Sequence, residues 1–192
     1  MKTLVFATNN PNKIREMELL LSDKFCIKKL VDIGCNEELP ETHLTIEENS
    51  AEKAQFVGNK FNVNCISEDS GLEIEALNGQ PGVHSAYYAG DRDATKNMDK
   101  VLSEMKGKAN RNAQFKTVIT LIYNNLEYQF TGILKGKIGF EKRGLYGFGY
   151  DPIFVLDDGR TMAELMIDEK SKISHRAKAT QQLIAFLESL NA

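Results

Sequence analysis

Thr3-Leu4-Val5-Phe6-Ala7-Thr8 leads through Asn9-Asn10-Pro11-Asn12 into Lys13-Ile14-Arg15-Glu16-Met17-Glu18-Leu19-Leu20-Leu21. The first six residues have the apolar, β-branched character of a short buried strand, and the next four are turn formers. Ile14, Met17, Leu20 and Leu21 then recur at helical spacing. A buried strand, a polar loop and an amphipathic helix in that order open an α/β chain.

The rest of the chain extends this reading. Residues 25–30 suit a second strand, while residues 31–46 have no sustained period and carry Glu37, Glu38 and Glu41. Thr45 with Glu48 three residues on has capping-box spacing, and Ala51, Ala54, Val57 and Phe61 form one apolar stripe behind it. Residues 64–72 read as an apolar stub ending in Glu68-Asp69-Ser70-Gly71, with a strand continuing over 72–77. Residues 94–105 are helix-like, and residues 113–123 and 126–134 around Asn124-Asn125 make a β-hairpin. A short strand is expected at 153–156 and a closing helix from His175, with Ala179, Leu183, Ile184, Leu187 and Leu190 inward. Strands alternate with helices first and a hairpin follows, so the expected class is α/β with a mixed sheet.

Composition narrows the function classes. A chain of 192 residues suits one domain, or two lobes sharing one core, and 42% apolar with 27% charged residues is ordinary for a globular protein. With 24 basic against 27 acidic residues the formal charge is −3, which disfavours a partner such as nucleic acid. Cys26, Cys35 and Cys65 form no C-x-x-C pair, so free thiols in a reducing compartment are expected. The N-terminal apolar run is too short for a signal sequence, and no stretch approaches the roughly 18 apolar residues of a membrane span. A cytoplasmic protein without a membrane partner is the simplest expectation.

Four segments could carry chemistry. Thr8, Asn9, Asn10, Pro11, Asn12 and Lys13 form a strand-to-helix loop whose backbone N–H groups, helix dipole and lysine suit a phosphate chain; an ordinary Asn-capped turn is the alternative. Glu68-Asp69-Ser70-Gly71, with Glu41 upstream, offers carboxylates to a hard cation, or else is an exposed acidic turn. Neighbouring carboxylates repel, so a counter-charge or a metal is expected between them. Phe148-Gly149-Tyr150-Asp151 can present a bare ring face to a nucleobase, with Asp151 accepting from ring N–H groups, unless the aromatics are core residues. Residues 169–176 place Lys170, Lys172, His175 and Arg176 near a helix start, where a bound anion would rationalise them; Lys172 reads as a solvated charge.

Read together and in order, these segments resemble the inosine triphosphatase-like pyrophosphatases, which hydrolyse non-canonical purine nucleoside triphosphates. The matching pieces also include Glu48-Asn49, Leu77-Asn78-Gly79-Gln80-Pro81-Gly82-Val83 and Ser85-Ala86. The resemblance implies an elongated mixed sheet flanked by helices in two lobes, with the nucleotide in the cleft between them, and a homodimer. It implies Mg²⁺-dependent release of pyrophosphate from ITP, dITP or XTP. By position, Thr8 to Lys13 would hold the triphosphate, Asp69 would be the proton acceptor, and Ser70 would touch substrate. Phe148, Gly149, Tyr150 and Asp151 would hold the base, with Lys170, His175 and Arg176 completing the pocket. Glu41 and Asp69 would bind the metal, with Glu68 a further ligand. Two other hypotheses are a pyrophosphatase for modified pyrimidine nucleotides and a nucleotide sensor that binds without turnover.

Overall fold

The computed structural model describes residues 2–21 and 25–190, and among these it forms six strands and five α-helices. Strand β1 (Lys2–Ala7) runs parallel to β2 (Phe25–Lys28) on one side and to β3 (Cys65–Ile74) on the other. With β4 (Asn112–Tyr123), β5 (Leu126–Ile138) and β6 (Phe154–Val155), the sheet order is β2-β1-β3-β4-β5-β6, and β6 is antiparallel to β5. The helices are α1 (Pro11–Leu21), α2 (Ile46–Phe61), α3 (Ala94–Glu104), α4 (Ile167–Ile173) and α5 (His175–Ser189). The chain is therefore a mixed α/β fold with helices flanking one sheet.

The chain divides into two compact units, Met1–Asp69 with Thr117–Gly132 and Arg176–Ala192, and Ser70–Lys116 with Ile133–His175. In the first unit the period of two along each strand sorts side chains to two faces. Leu4, Phe6, Ile66, Ile119 and Leu121 pack on Met17 and Leu21 of α1 and on Ala179, Leu183 and Leu187 of α5. Val5, Ala7 and Cys65 pack instead with Ala54 and Val57 of α2. Burial on both faces explains why residues 4–7 are uninterruptedly apolar. The second unit has its own core, in which Leu72 and Ile74 meet Met98 and Val101 of α3, together with Phe115, Ile138 and Phe154. No helix among the described residues is long and apolar enough to cross a membrane.

Several elements differ from the sequence expectation, among them the strand expected over 72–77, which ends at Ile74 and gives way to a 3₁₀ turn over Glu75–Leu77. Glu68 and Asp69 lie inside β3, which continues to Ile74, rather than at the end of a stub. A strand tolerates buried charges there because each meets a partner of opposite sign. Lys170 belongs to a separate short helix, α4, which stops at Ile173 before α5 begins at His175. The second strand ends at Lys28, and Leu30 instead opens a single 3₁₀ turn closed by Gly34.

The hairpin forms as expected. Asn124 and Asn125 have φ of 52° and 63°, the left-handed pair of a type I′ turn, which matches the twist of the flanking strands. Asn accepts this conformation with little penalty, whereas other side chains lose about 1–2 kcal/mol. Asn125→Ala should therefore lower the unfolding free energy by roughly 1 kcal/mol, and Asn125→Gly should not. Urea titration followed by circular dichroism checks the pair.

Candidate active site

In the first unit, β1 delivers the chain to Thr8, and Asn10 caps the helix that follows. Asn10 Oδ1 accepts from the backbone N–H groups of Asn12 (3.0 Å) and Lys13 (3.3 Å), and the Asn10 N–H donates to Thr8 Oγ1 at 3.2 Å. Pro11 occupies the first helical position, where its missing N–H costs nothing. The segment thus has the geometry of an Asn-capped turn: two of the N–H groups expected to face phosphate are satisfied by the cap. Asn9, Pro11 and Asn12 are exposed, Thr8 is buried, and Lys13 turns inward, its Nζ 3.5 Å from Glu68 Oε1. Burial lowers the Lys13 pKa, against the pull of Glu68.

Glu68 and Asp69 are neighbours on a strand and so turn to opposite faces of the sheet. Glu68 meets Arg176 of α5 in a bidentate pair, Nε to Oε2 at 2.7 Å and Nη2 to Oε1 at 2.8 Å, and Arg176 Nη1 also donates to Glu16 of α1. Both partners are about 1% exposed. Burial opposes the charge on Arg176, but Glu68 and Glu16 outweigh it and raise the pKa. Asp69 faces α2 instead, where Lys53 Nζ donates to its Oδ1 at 3.1 Å and to Glu41 Oε1 at 2.5 Å. Burial raises the Asp69 pKa, partly offset by Lys53 and Lys13. Lys53 is pushed down by burial, but Asp69 and Glu41 together carry it above its ordinary value.

The loop bearing Glu41 is held by the same helix. Asn49 accepts from the His43 N–H at 2.8 Å and donates to its carbonyl at 3.1 Å, while Glu52 accepts from both the N–H and the hydroxyl of Thr42. Thr45 caps α2 by accepting from the Glu48 N–H at 3.2 Å. Lys53 was not anticipated. Its signal in the sequence is a lysine one residue before Ala54 and four before Val57, on the buried stripe where a charge needs a partner.

The carboxylates suit a hard cation. Both oxygens of Glu68 are engaged by Arg176. Glu41 and Asp69 remain, sharing one ammonium group, and two carboxylates completed by water and phosphate oxygens are a usual protein contribution to Mg²⁺.

In the second unit, Asp151 organises the glycine-rich loop. Its Oδ2 accepts from the Phe148 N–H at 2.9 Å and from Lys170 Nζ at 2.6 Å, and that ammonium lies 4.8 Å from the Phe148 ring centroid. Gly147, at φ +79°, is required: a Cβ there would stand 2.1 Å from Asp151 Oδ2. This oxygen therefore braces the loop, where the sequence suggested an acceptor for base N–H groups. Tyr150 is buried and donates to the Ser85 carbonyl at 2.8 Å, while the Ser85 hydroxyl accepts from the Leu72 N–H at 2.9 Å. Its role is thus in the core of the loop, whereas Phe148 and Gly149 are partly exposed. His175 is buried and stacked on Phe115 at 4.8 Å, and Ser70 is partly exposed on β3. Lys172 is exposed, as expected.

Residues 4–186 match the Ham1 family. The chain belongs to that family. It is 53% identical over 188 residues to a dITP/XTP pyrophosphatase of Flavobacterium psychrophilum, covering 97% of this chain and 99% of that one. A dITP/XTP pyrophosphatase of Flavobacterium johnsoniae is 50% identical over 96% of this chain and 97% of its own. Among solved structures, a HAM1 protein from Coxiella burnetii superposes with a TM-score of 0.91 at 36% identity, covering 98% of this chain and all of that one.

The Glu68–Arg176 pair yields a stability prediction. Glu68→Gln leaves a buried guanidinium with a neutral amide and should cost about 3 kcal/mol, whereas Glu68→Gln combined with Arg176→Met should recover part of the loss. Denaturant midpoints of the single and double variants check this.

Proposed function

We infer that this chain hydrolyses non-canonical purine nucleoside triphosphates, ITP, dITP and XTP, to the nucleoside monophosphate and pyrophosphate. The observation that carries the reading is the Glu41–Lys53–Asp69 cluster of a Ham1-family chain, in which Lys53 and Asp69 are buried and Glu41 is partly exposed, because a held carboxylate beside a cation is what hydrolysis of an acid anhydride requires. A triphosphate carries about four negative charges near pH 7, so positioning and charge neutralisation dominate the barrier. Lys13 faces Glu68 and Lys53 faces Asp69 and Glu41, and the charges of both lysines act on Asp69. Asp69 is the proton acceptor of our reading: it orients and deprotonates the attacking water.

Glu41 and Asp69 are the residues that would hold Mg²⁺, which when bound supplies charge neutralisation for the phosphate oxygens. For base recognition we assign Phe148 as the stacking surface and Lys170 as its neighbouring cation, with Asp151 fixing both. Hypoxanthine and xanthine present an acceptor oxygen at position 6 where adenine presents a donor, so a protein donor separates them. The family resemblance also supports a homodimer in the cytoplasm; light scattering should then return twice the 21.6 kDa chain mass.

Pyrophosphate release from ITP, XTP, dATP, dGTP and dTTP, with Mg²⁺ and with a chelator, tests the reading. ITP and XTP should turn over fastest and only with the metal; equal rates on all five would overturn the purine preference. Asp69→Asn should cut kcat at least about a hundredfold while nucleotide binding stays measurable by calorimetry. Phe148→Ala should weaken binding by about 1–3 kcal/mol, read as a raised KM. An unchanged KM would return that ring to a purely structural role.

A further inference from the structure

Three of the buried side chains on α2 are polar, and they sit on one face: Asn49, Ser50 and Lys53 are 4%, 0% and 4% exposed. Asn49 and Lys53 act on the Glu41 loop and on Asp69. Ser50, between them, hydrogen-bonds to neutral groups. Its Oγ lies 3.0 Å from the Val118 carbonyl, 2.8 Å from Thr120 Oγ1 and 3.0 Å from Ser67 Oγ, while Ser67 Oγ is 2.5 Å from the Ser50 carbonyl.

A hydroxyl has one proton, so the donors can be assigned. Carbonyls only accept, so the Ser50 proton goes to Val118 and the Ser67 proton goes to Ser50. The Thr120 hydroxyl then donates to Ser50 Oγ, and Thr120 Oγ1 in turn accepts from Gln129 Nε2 at 3.2 Å. The second proton of that amide reaches the Glu47 carbonyl at 2.9 Å. Every proton has one destination, and the chain of donors ties α2 to β3, β4 and β5 at one level. Such order is not general for this strand: Thr117 Oγ1, also buried on β4, has no hydrogen-bond partner among the described residues.

This anchorage stands one helical turn from Lys53 and two strand residues from Asp69, on the same sheet face. We propose that Ser50, Ser67 and Thr120 are positioning residues for the hydrolysis, setting the distance and height at which Lys53 meets Asp69. The proposal rests on the assignment of Asp69 as the base. Apolar contacts of Ala54 and Val57 press α2 onto the sheet but leave sliding along it weakly opposed, and a directional hydrogen-bond set removes that freedom. A misplacement of about 1 Å in a reacting constellation can cost up to a hundredfold in rate.

The test compares Thr120→Val, which keeps the shape and removes the hydroxyl, with Thr120→Ser, which keeps the hydroxyl. Ile119→Val, on the opposite face of β4, serves as a control for core loosening. Thr120→Val should lower kcat about tenfold with KM within about twofold, because the loss falls on placement rather than on substrate binding. Thr120→Ser should restore kcat, and Ile119→Val should lower Tm while leaving kcat unchanged. The proposal is overturned if Thr120→Val alters kcat no more than Ile119→Val at a matched loss of Tm, or if Thr120→Ser is as slow as Thr120→Val. Asp69→Asn, assayed in parallel, separates the two readings. If it collapses turnover while Thr120→Val does not, only the positioning role fails; if it keeps near-wild-type turnover, the base assignment fails and this inference with it.

Discussion

The alternation of side chains along β3 is the constraint on which the site depends. Glu68 and Asp69 are adjacent in the chain, and on a flexible loop their charges would crowd one another or share one cation. A strand denies them that option. It sends Glu68 to the face covered by α1 and α5, where Arg176 grips it with two hydrogen bonds, and Asp69 to the face covered by α2, where Lys53 meets it. Two carboxylates separated by one peptide bond thereby acquire different partners, depths and chemical prospects. Glu68 is fully engaged, whereas Asp69 shares an ammonium with a partly exposed Glu41 and keeps access to solvent.

This division shapes the packing around it. Burying charges is expensive, and a buried ion pair is seldom more stabilising than an apolar pair of similar volume. Glu68, Asp69, Lys53 and Arg176 are nonetheless all buried in a unit whose apolar contacts come from short strands and three helices. Such clusters are tolerated because the apolar faces on both sides of β1 hold the helices in place, and because each charge has a partner at hydrogen-bond distance. On α2 the same logic admits Asn49, Ser50 and Lys53 to a face that would otherwise be filled by aliphatic residues.

The sequence made much of the fold legible, because the elements that could be read are those fixed locally. Asn9 to Pro11 mark the strand-to-helix turn, Thr45 caps α2, and Asn124-Asn125 close the hairpin through backbone preferences of those residues. What escaped was set by partners distant in the chain. Nothing near Glu68 announces Arg176, 108 residues away, so the acids looked like the end of a strand rather than its interior. Lys53 lay hidden because a lysine in a helix is usually solvated. The stripe that contains it can be drawn from the spacing of Ala54 and Val57, but its two carboxylates cannot. The bracing contact of Asp151 escaped in a similar way: its neighbour at Gly147 is legible as a glycine, but the reason for that glycine is an oxygen that only the folded loop brings against the place of the missing Cβ.

Charge accounting shows why a chain of net charge −3 is suited to an anionic substrate in our reading. Within each unit the cations named above are paired with carboxylates rather than left as a bare positive patch. Lys13 and Arg176 face Glu68, Lys53 faces Asp69 and Glu41, and Lys170 faces Asp151. A polyanion such as a nucleic acid meets no excess of positive charge and gains little by long-range attraction. A small triphosphate with its own divalent cation would differ in our reading, because Glu41 and Asp69 are the carboxylates that would hold the cation, leaving Lys53 to turn to phosphate oxygens. Discrimination then lies in the exchange of partners at short range, not in net charge. For Lys53 the carboxylates that neutralise it, Glu41 and Asp69, are the same groups that would hold the metal, so the free protein avoids an unpaired buried ammonium, and in our reading its attraction for phosphate would develop together with the metal.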